Sequence, residues 1–419
     1  MERAANLPHV AAAPPPLSLP AEHFAGAFAC LAAGSVALVA IAPLLGAGMF
    51  YLPTVVAAVH LFTLGWIALS IFGALCQFLP VAIGRRLRWE PMAHLTFGLH
   101  VLGVAAFVIG LARGHHALTM TGAGALTTSF VLFAVNLGAT LASASERSVT
   151  WWALWITAIF LVVTPVYGTV LALDLHDGRL GAARFHVVAV HAHIAIAGII
   201  LPVIVGVAHR LIPMFTLSHG ASEVPARVSV ALLFAGATLL AVPIAALQAA
   251  AAALVAAGVL AFAVQAALFF RHRMRKALDP GMRLAAVGIA GLVGAVVLAP
   301  FAIARGIADL HVLATYFVVL LGAIAVFIAG HYYKIIPFLV WYHRFGPLVG
   351  TRAVPKVSEL FSQRAAHVGA ALLVAGWLGL AVGTYSGSPA IVRTFAAVFT
   401  AGVLLEAVIL VQVARRRPA

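Results

Sequence analysis

Apolar residues run in long stretches along this chain, and polar ones cluster between them. Read against Pro, Gly and charge as punctuation, the pattern predicts twelve helical spans. They fall near 24–46, 54–83, 92–112, 118–142, 149–173, 185–213, 226–246, 248–270, 282–304, 308–341, 364–384 and 389–413. Most reach or exceed the roughly 20 residues that cross a bilayer as a helix. The runs are continuously apolar and do not alternate, which selects helices over barrel strands. The division between the seventh and eighth spans is the faintest, because Ala231 to Phe270 is almost unbroken.

Charge placement tests that count. With both termini cytoplasmic, Arg113, Arg179, Arg184, Arg305 and Arg393 lie outside, and the other 20 of the 25 Lys and Arg lie inside. That is the bias the positive-inside rule demands, and a miscounted helix would invert it midway. The expected location is therefore a bacterial inner membrane, crossed many times. The net charge of +14 then belongs to orientation and lipid contact, and nucleic acid is excluded as a partner. Composition agrees: 64% of residues are hydrophobic and only 9% charged, against about 25% charged in a soluble domain. Cys30 and Cys76 both sit in apolar runs, which argues against a disulfide framework or thiolate metal site. Phe24 to Leu45 has no basic n-region before it and reads as a retained helix. The expected organisation is a cytoplasmic tail over 1–23, one membrane domain over 24–413, and a basic tail over 414–419.

The chain also repeats. His60 is followed at offsets 5, 13 and 20 by Gly65, Gly73 and Pro80; His193 is followed at the same offsets by Gly198, Gly206 and Pro213. A third copy has Gly322, Gly330 and Pro337, with Phe317 in the histidine's place. These are spans 2, 6 and 10, which predicts three units of four helices near 24–142, 149–270 and 282–413. A major-facilitator transporter also has twelve spans, but its repeats are six or three helices long. The glycines suit close helix packing, and the prolines are expected to end the spans.

Several of the 18 histidines lie within spans. In His186-Val-Val-Ala-Val-His191-Ala-His193, helical phase puts His186 and His193 on one face and His191 on the other. His60 and His193 both lie roughly 10–12 Å below the outer boundary at 1.5 Å per residue. Two imidazoles at one depth, on helices related by a repeat, can converge on one metal. Imidazole suits haem iron, copper or zinc. Taken singly, each histidine could instead bond a neighbouring helix's carbonyl or hydroxyl. His209, His331 and His343 lie towards the cytoplasmic side, where an anchoring role, a second metal or a proton route are the alternatives. His311 sits at the outer edge, His115 and His116 in a loop. Glu406, deep in span 12, either moves protons or pairs with a basic group.

These residues resemble the haem-copper oxidase subunit I superfamily, through the spacing from His60 to Pro80 and from His193 to Pro213. They look closer still to its smaller twelve-helix relatives, including the NnrS-type membrane haem proteins linked to nitric-oxide stress. Pro213-Met214-Phe215 and Leu217-Ser218-His219-Gly220 look like the stand-alone oxidase-like homologues of bacteria. The resemblance implies haem of the b type at His60, with His193 or His191 in the region of the oxidase copper ligand. Copper, a gas such as nitric oxide, and a redox partner or oxidase subunits are the further partners it implies. The departures are large: span 7 has no histidine, span 10 has Thr315 and Phe317 near the places of a His-x-His, and no cross-linked tyrosine is evident. An oxygen-reducing binuclear centre is therefore not expected, and any oxidoreductase activity stays open. The expected function is haem binding in nitric-oxide response or electron transfer, with His186 and His191 supporting. The alternatives are a proton-coupled small-molecule transporter using its intramembrane histidines, or an oxidase assembly factor.

Overall fold

The computed structural model describes residues 16–242 and 244–418. Among the described residues it contains twelve long helices and no strand. The helices are α1 (Ser18–Ala40), α2 (Pro53–Ile83), α3 (Glu90–Arg113), α4 (His116–Ala142), α5 (Val149–Asp177) and α6 (Gly181–Thr216). They continue as α7 (Val224–Leu240), α8 (Ala245–Arg271), α9 (Pro280–Arg305), α10 (Leu310–Arg344), α11 (Gln363–Tyr385) and α12 (Pro389–Arg415). Eleven are long and apolar enough to cross a membrane, and α7 is a shorter apolar helix. Large apolar side chains stand on the outside of the bundle, among them Leu102, Phe301 and Ile303, each more than 60% exposed. Such a surface is stable against hydrocarbon and not against water. The protein is an all-α, multi-pass membrane protein.

Helix pairing follows a period of four. α3 packs on α4, α7 on α8 and α11 on α12 as antiparallel hairpins, while α4 meets α5, α8 meets α9 and α12 closes back onto α1. Inside this ring stand α2, α6 and α10, whose apolar stretches are 61, 61 and 56% buried, against about a third for α1 and α8. The glycines of the sequence repeat make that close approach possible. A Cβ at Gly73 would stand 2.8 Å from His23 of α1, one at Gly206 3.0 Å from Ala153 of α5, and one at Gly330 2.5 Å from the Gly281 carbonyl of α9. Each inner helix thus uses its second glycine to seat the first helix of its own unit, as small residues do between membrane helices.

Several boundaries differ from the sequence expectation. α1 begins at Ser18, ahead of Phe24, so the described part of the expected tail is partly helical; residues 1–15 lie outside the described ones. The break between α7 and α8 comes at Ala241, not 247. Pro243 follows closely in sequence, and the residue before a proline disfavours helix. The repeat prolines do not end their helices: Pro80 and Pro213 sit in the last turn, and Pro337 lies within α10, which runs on to Arg344. A proline removes one backbone donor without stopping a helix that neighbours hold in place. What ends α2 is Gly84, left-handed at φ 67°; Leu217 ends α6 at φ 54°.

One face of the bundle carries Arg85, Arg86, Arg88, Arg271, Arg273 and Arg344, and is called here the arginine-rich face. There Glu22 meets His94 at 2.7 Å, and Lys334 of α10 pairs with Asp279, whose Oδ1 caps α9 by accepting from the Met282 N–H. On the opposite face Asp174 accepts hydrogen bonds from Arg184 and the Leu180 N–H, clasping α5 to α6.

Candidate intramembrane histidine site

His60 and His193 occupy equivalent places and adopt the same local arrangement. The His60 Nδ1–H donates to the Val56 carbonyl at 2.7 Å, and the His193 Nδ1–H donates to the Ala189 carbonyl at 2.7 Å. Each bond runs four residues back along its own helix, fixes the ring, and places the proton on Nδ1. The lone pair is left on Nε2, the arrangement a metal-ligating histidine takes when a carbonyl holds its other nitrogen. Counted from Pro53 and Arg184, the two rings lie roughly 10 and 14 Å along their helices, so they share a level near the arginine-poor face.

The backbone beneath each ring is also alike. α2 widens into π-helix over Leu61–Ala68, and α6 does so over Ile196–Ile200. Single widened turns of this kind recur at functional sites because they re-aim side chains against the helical phase. Gly65 and Gly198 lie within these segments, where a Cβ would stand 2.6 Å from Cys30 and 2.2 Å from the Phe160 ring. α10 is regular α-helix throughout.

The two rings then part company. His193 Nε2 accepts from the Tyr316 hydroxyl of α10 at 2.9 Å, with the two rings stacked at 5.7 Å. Phe317, standing where the third histidine would be, lies 5.7 Å from the same imidazole. His60 Nε2 has no such partner; its ring is half-buried and meets Phe107 of α3 edge-on at 5.1 Å. His191, two residues before His193, lies against Gly168 of α5, with its buried Nδ1 unpartnered among the described residues. Helical phase sets His191 apart from His193, and the structure agrees: α6 lies between α5 and α10 and shows a histidine to each.

The other expected site residues stand elsewhere. His186 is exposed at the start of α6. His209 is sixteen residues past His193 on the same helix, roughly 24 Å along it. It is buried near the arginine-rich face, with Nε2 3.4 Å from Glu223. Partial burial pushes the Glu223 carboxyl up, but hydrogen bonds from Arg227 and His209 outweigh it and hold it below the usual carboxylate range. His331 of α10 is buried as well; its Nδ1–H donates to the Phe327 carbonyl at 2.8 Å and its Nε2 has no partner. His60, His186, His191, His193, His209 and His331 therefore cannot form one centre: they divide between two levels of the bundle. Among the described residues, no three His, Cys, Asp or Glu side chains gather as a metal site. His343 keeps a buried Nε2 without a partner, and His311 donates to the Thr384 carbonyl at 3.1 Å.

Two groups of consequence were not visible in the sequence reading. Tyr316 had no role there, although it adjoins Phe317 at the third copy's histidine position. His100 is wholly buried in α3 with both ring nitrogens engaged, by Ser129 and the Leu64 carbonyl, and is a structural residue. No protein-family model matches this chain, and no curated protein matches it.

Proposed function

We propose that this membrane protein binds haem, of the b type, on the imidazoles near its arginine-poor face. The observation that supports the reading most is the His60 ring: Nδ1–H held by the Val56 carbonyl, and Nε2 free to ligate. His191 of α6 is the second imidazole of the proposed site, and His193 becomes available if its hydrogen bond with Tyr316 opens. The donor set is all nitrogen, which suits haem iron and also copper. When bound, haem would supply one-electron chemistry or an open position for a diatomic gas such as nitric oxide. The chain's own part is to hold the ring nitrogens at one level, between apolar walls that keep water out. The π segments after His60 and before Leu201 set the angle at which those rings face the interior. The function that follows is nitric-oxide response or electron transfer in a bacterial inner membrane, with a redox partner or oxidase subunits as associates.

The absorbance spectrum of the detergent-purified protein tests this. A Soret band, with iron found by elemental analysis, is the expected result. Colourless protein that takes up no added haem and contains neither iron nor copper would remove the proposal. The His193–Tyr316 hydrogen bond favours a second reading, proton-coupled transport of a small molecule, because it joins two titratable groups across α6 and α10. Colourless protein whose substrate uptake follows a proton gradient would decide for it.

A further inference from the structure

Glu406 lies roughly 14 Å from the C-terminal end of α12 at 1.5 Å per residue, well inside the span. Its side chain is 0% exposed, and neither carboxyl oxygen has a hydrogen-bond partner among the described residues. It borders a narrow interior space lined by one helix after another: Leu31 of α1, Trp66 of α2, Val326 of α10, Leu373 of α11 and Phe399 of α12. No basic side chain among the described residues pairs with it, so its role is not that of an ion-pair partner. Two titratable groups of α10 lie beside this space: Tyr332, bonded to the Trp66 that lines it, and Tyr333, whose hydroxyl shares the gap over Gly369 with Leu405, the residue before Glu406; α1, α2 and α11 line it only with apolar or indole side chains.

The two tyrosines differ. The Tyr332 hydroxyl is fully committed, accepting from Trp66 Nε1 at 2.9 Å and bonded to Ser70 Oγ. The Tyr333 hydroxyl is buried and has no partner. It stands 3.1 Å from where a Cβ at Gly369 would be, in a gap that only glycine leaves. An acid and a phenol on neighbouring helices are thus both left unsatisfied in one apolar region. A buried acid kept for structure has its oxygens bonded, because a buried polar group left without a partner is destabilising. An unpaired carboxylate would be costlier still in this apolar setting, so the group is carried as the neutral acid. Ionisable residues placed this way within a membrane mark proton or ion pathways.

We infer that Glu406 is a proton-exchange site, separate from the histidine site, and that the Tyr333 hydroxyl is the group through which its proton comes and goes. The ligand is the proton itself: an O–H bond breaks on Glu406, one forms on the Tyr333 oxygen, and the phenol's own proton passes to water outside the membrane on the arginine-rich side. No electrons move, and no metal or haem takes part.

Infrared spectroscopy of the full-length protein in lipid vesicles tests this whether or not haem is bound. The expected result is the carbonyl band of an un-ionised carboxylic acid at neutral pH, absent from Glu406→Gln and shifted after transfer to deuterium oxide. Tyr333→Phe should keep the band and slow its shift several-fold. The absence of any such band would overturn the inference, as would a band unshifted after hours, which marks a sealed acid. A shift at the parent rate in Tyr333→Phe would remove Tyr333 from the route. If Glu406→Gln fails to fold, the unaltered protein can be treated with a hydrophobic carbodiimide, which adds to the acid form alone. Modified Glu406 on peptide mass analysis is expected, and unmodified Glu406 beside other labelled carboxyls would refute its being held as the acid.

Discussion

α2 and α6 each carry a histidine pinned to the carbonyl four residues back, next to a π-helical segment whose glycine seats the preceding helix. α10 keeps the glycines and the proline but has Phe317 for the histidine and no widened turn. Its Gly322 receives the Trp377 indole of α11 instead of a side chain from α9. In two units, then, the inner helix presents a nitrogen lone pair to the interior. In the third it presents packing surface and a hydroxyl, and both Tyr316 and Phe317 spend themselves on His193. The glycine–proline frame is shared by all three, while the histidine and the widened turn occur together in two and are both missing from α10.

The largest effect is expected from the histidines themselves. Altering even the outer partners of a metal ligand lowers affinity about 10–100-fold; His60→Ala removes the ligand and should reduce bound haem by about 100-fold, read from the Soret band per protein. His193→Ala should cost less, because its Nε2 already serves Tyr316. Equal losses would show that the Tyr316 bond opens and that α2 and α6 act as a symmetric pair. Full retention of haem in His60→Ala would clear that residue of any ligand role.

Next come the glycines that separate the units by how they are seated. Gly198→Val would drive a Cβ to within 2.2 Å of the Phe160 ring. Overpacking of this kind costs about 1–3 kcal/mol, so thermal unfolding in detergent should begin several degrees earlier. Gly124→Val, where a Cβ meets nothing within 4 Å, serves as the comparison and should leave the transition almost unmoved. A Gly198 variant as stable as the parent would show that α5 and α6 are looser than they stand here.

Tyr316→Phe sharpens the contrast at lower cost. It removes one hydrogen bond, worth about 1 kcal/mol, and frees His193 Nε2. If haem is held by His60 and a second imidazole, the variant should bind it at least as well as the parent, with a shifted Soret maximum if His193 now ligates. Loss of haem in Tyr316→Phe would mean that the hydroxyl positions the group directly.

How much of this could be read in advance follows from where each feature's information lies. Twelve spans and their order are local properties of apolar runs, and the glycine–proline spacing marked α2, α6 and α10 as equivalent before any contact was known. The end of α7 was misplaced because Ala, Val and Leu on either side of Ala241 differ little in hydropathy, and a single proline is the one break in the sequence there. The pairing of His193 with Tyr316, 123 residues away, and the meeting of Tyr333 and Leu405 over Gly369 depend on the angular phase between helices. Hydropathy does not encode that phase. The same limit explains His191: its phase within α6 was right, but what lay on its side of the helix was not known.

The smallest effect belongs to the ends of the two matching helices. α2 stops at Gly84 and α6 at Leu217, each 24 residues after its repeat histidine and each with positive φ, 67° and 54°. Glycine takes that conformation freely, whereas an L side chain there costs about 1–2 kcal/mol. Leu217 is nearly half exposed (47%), so little burial offsets the strain. Leu217→Gly should therefore stabilise the fold, though glycine's greater freedom in the unfolded chain returns about 0.5–1 kcal/mol of that. A net gain of about 0.5–1 kcal/mol is expected, seen as a slightly higher unfolding temperature with the haem spectrum unchanged. The reverse change, Gly84→Leu, should lower it by a similar amount. Should Leu217→Gly destabilise the protein, the side chain must be holding the end of α6 by contacts that outweigh its backbone strain, and the two helix ends would be alike in shape but not in cause.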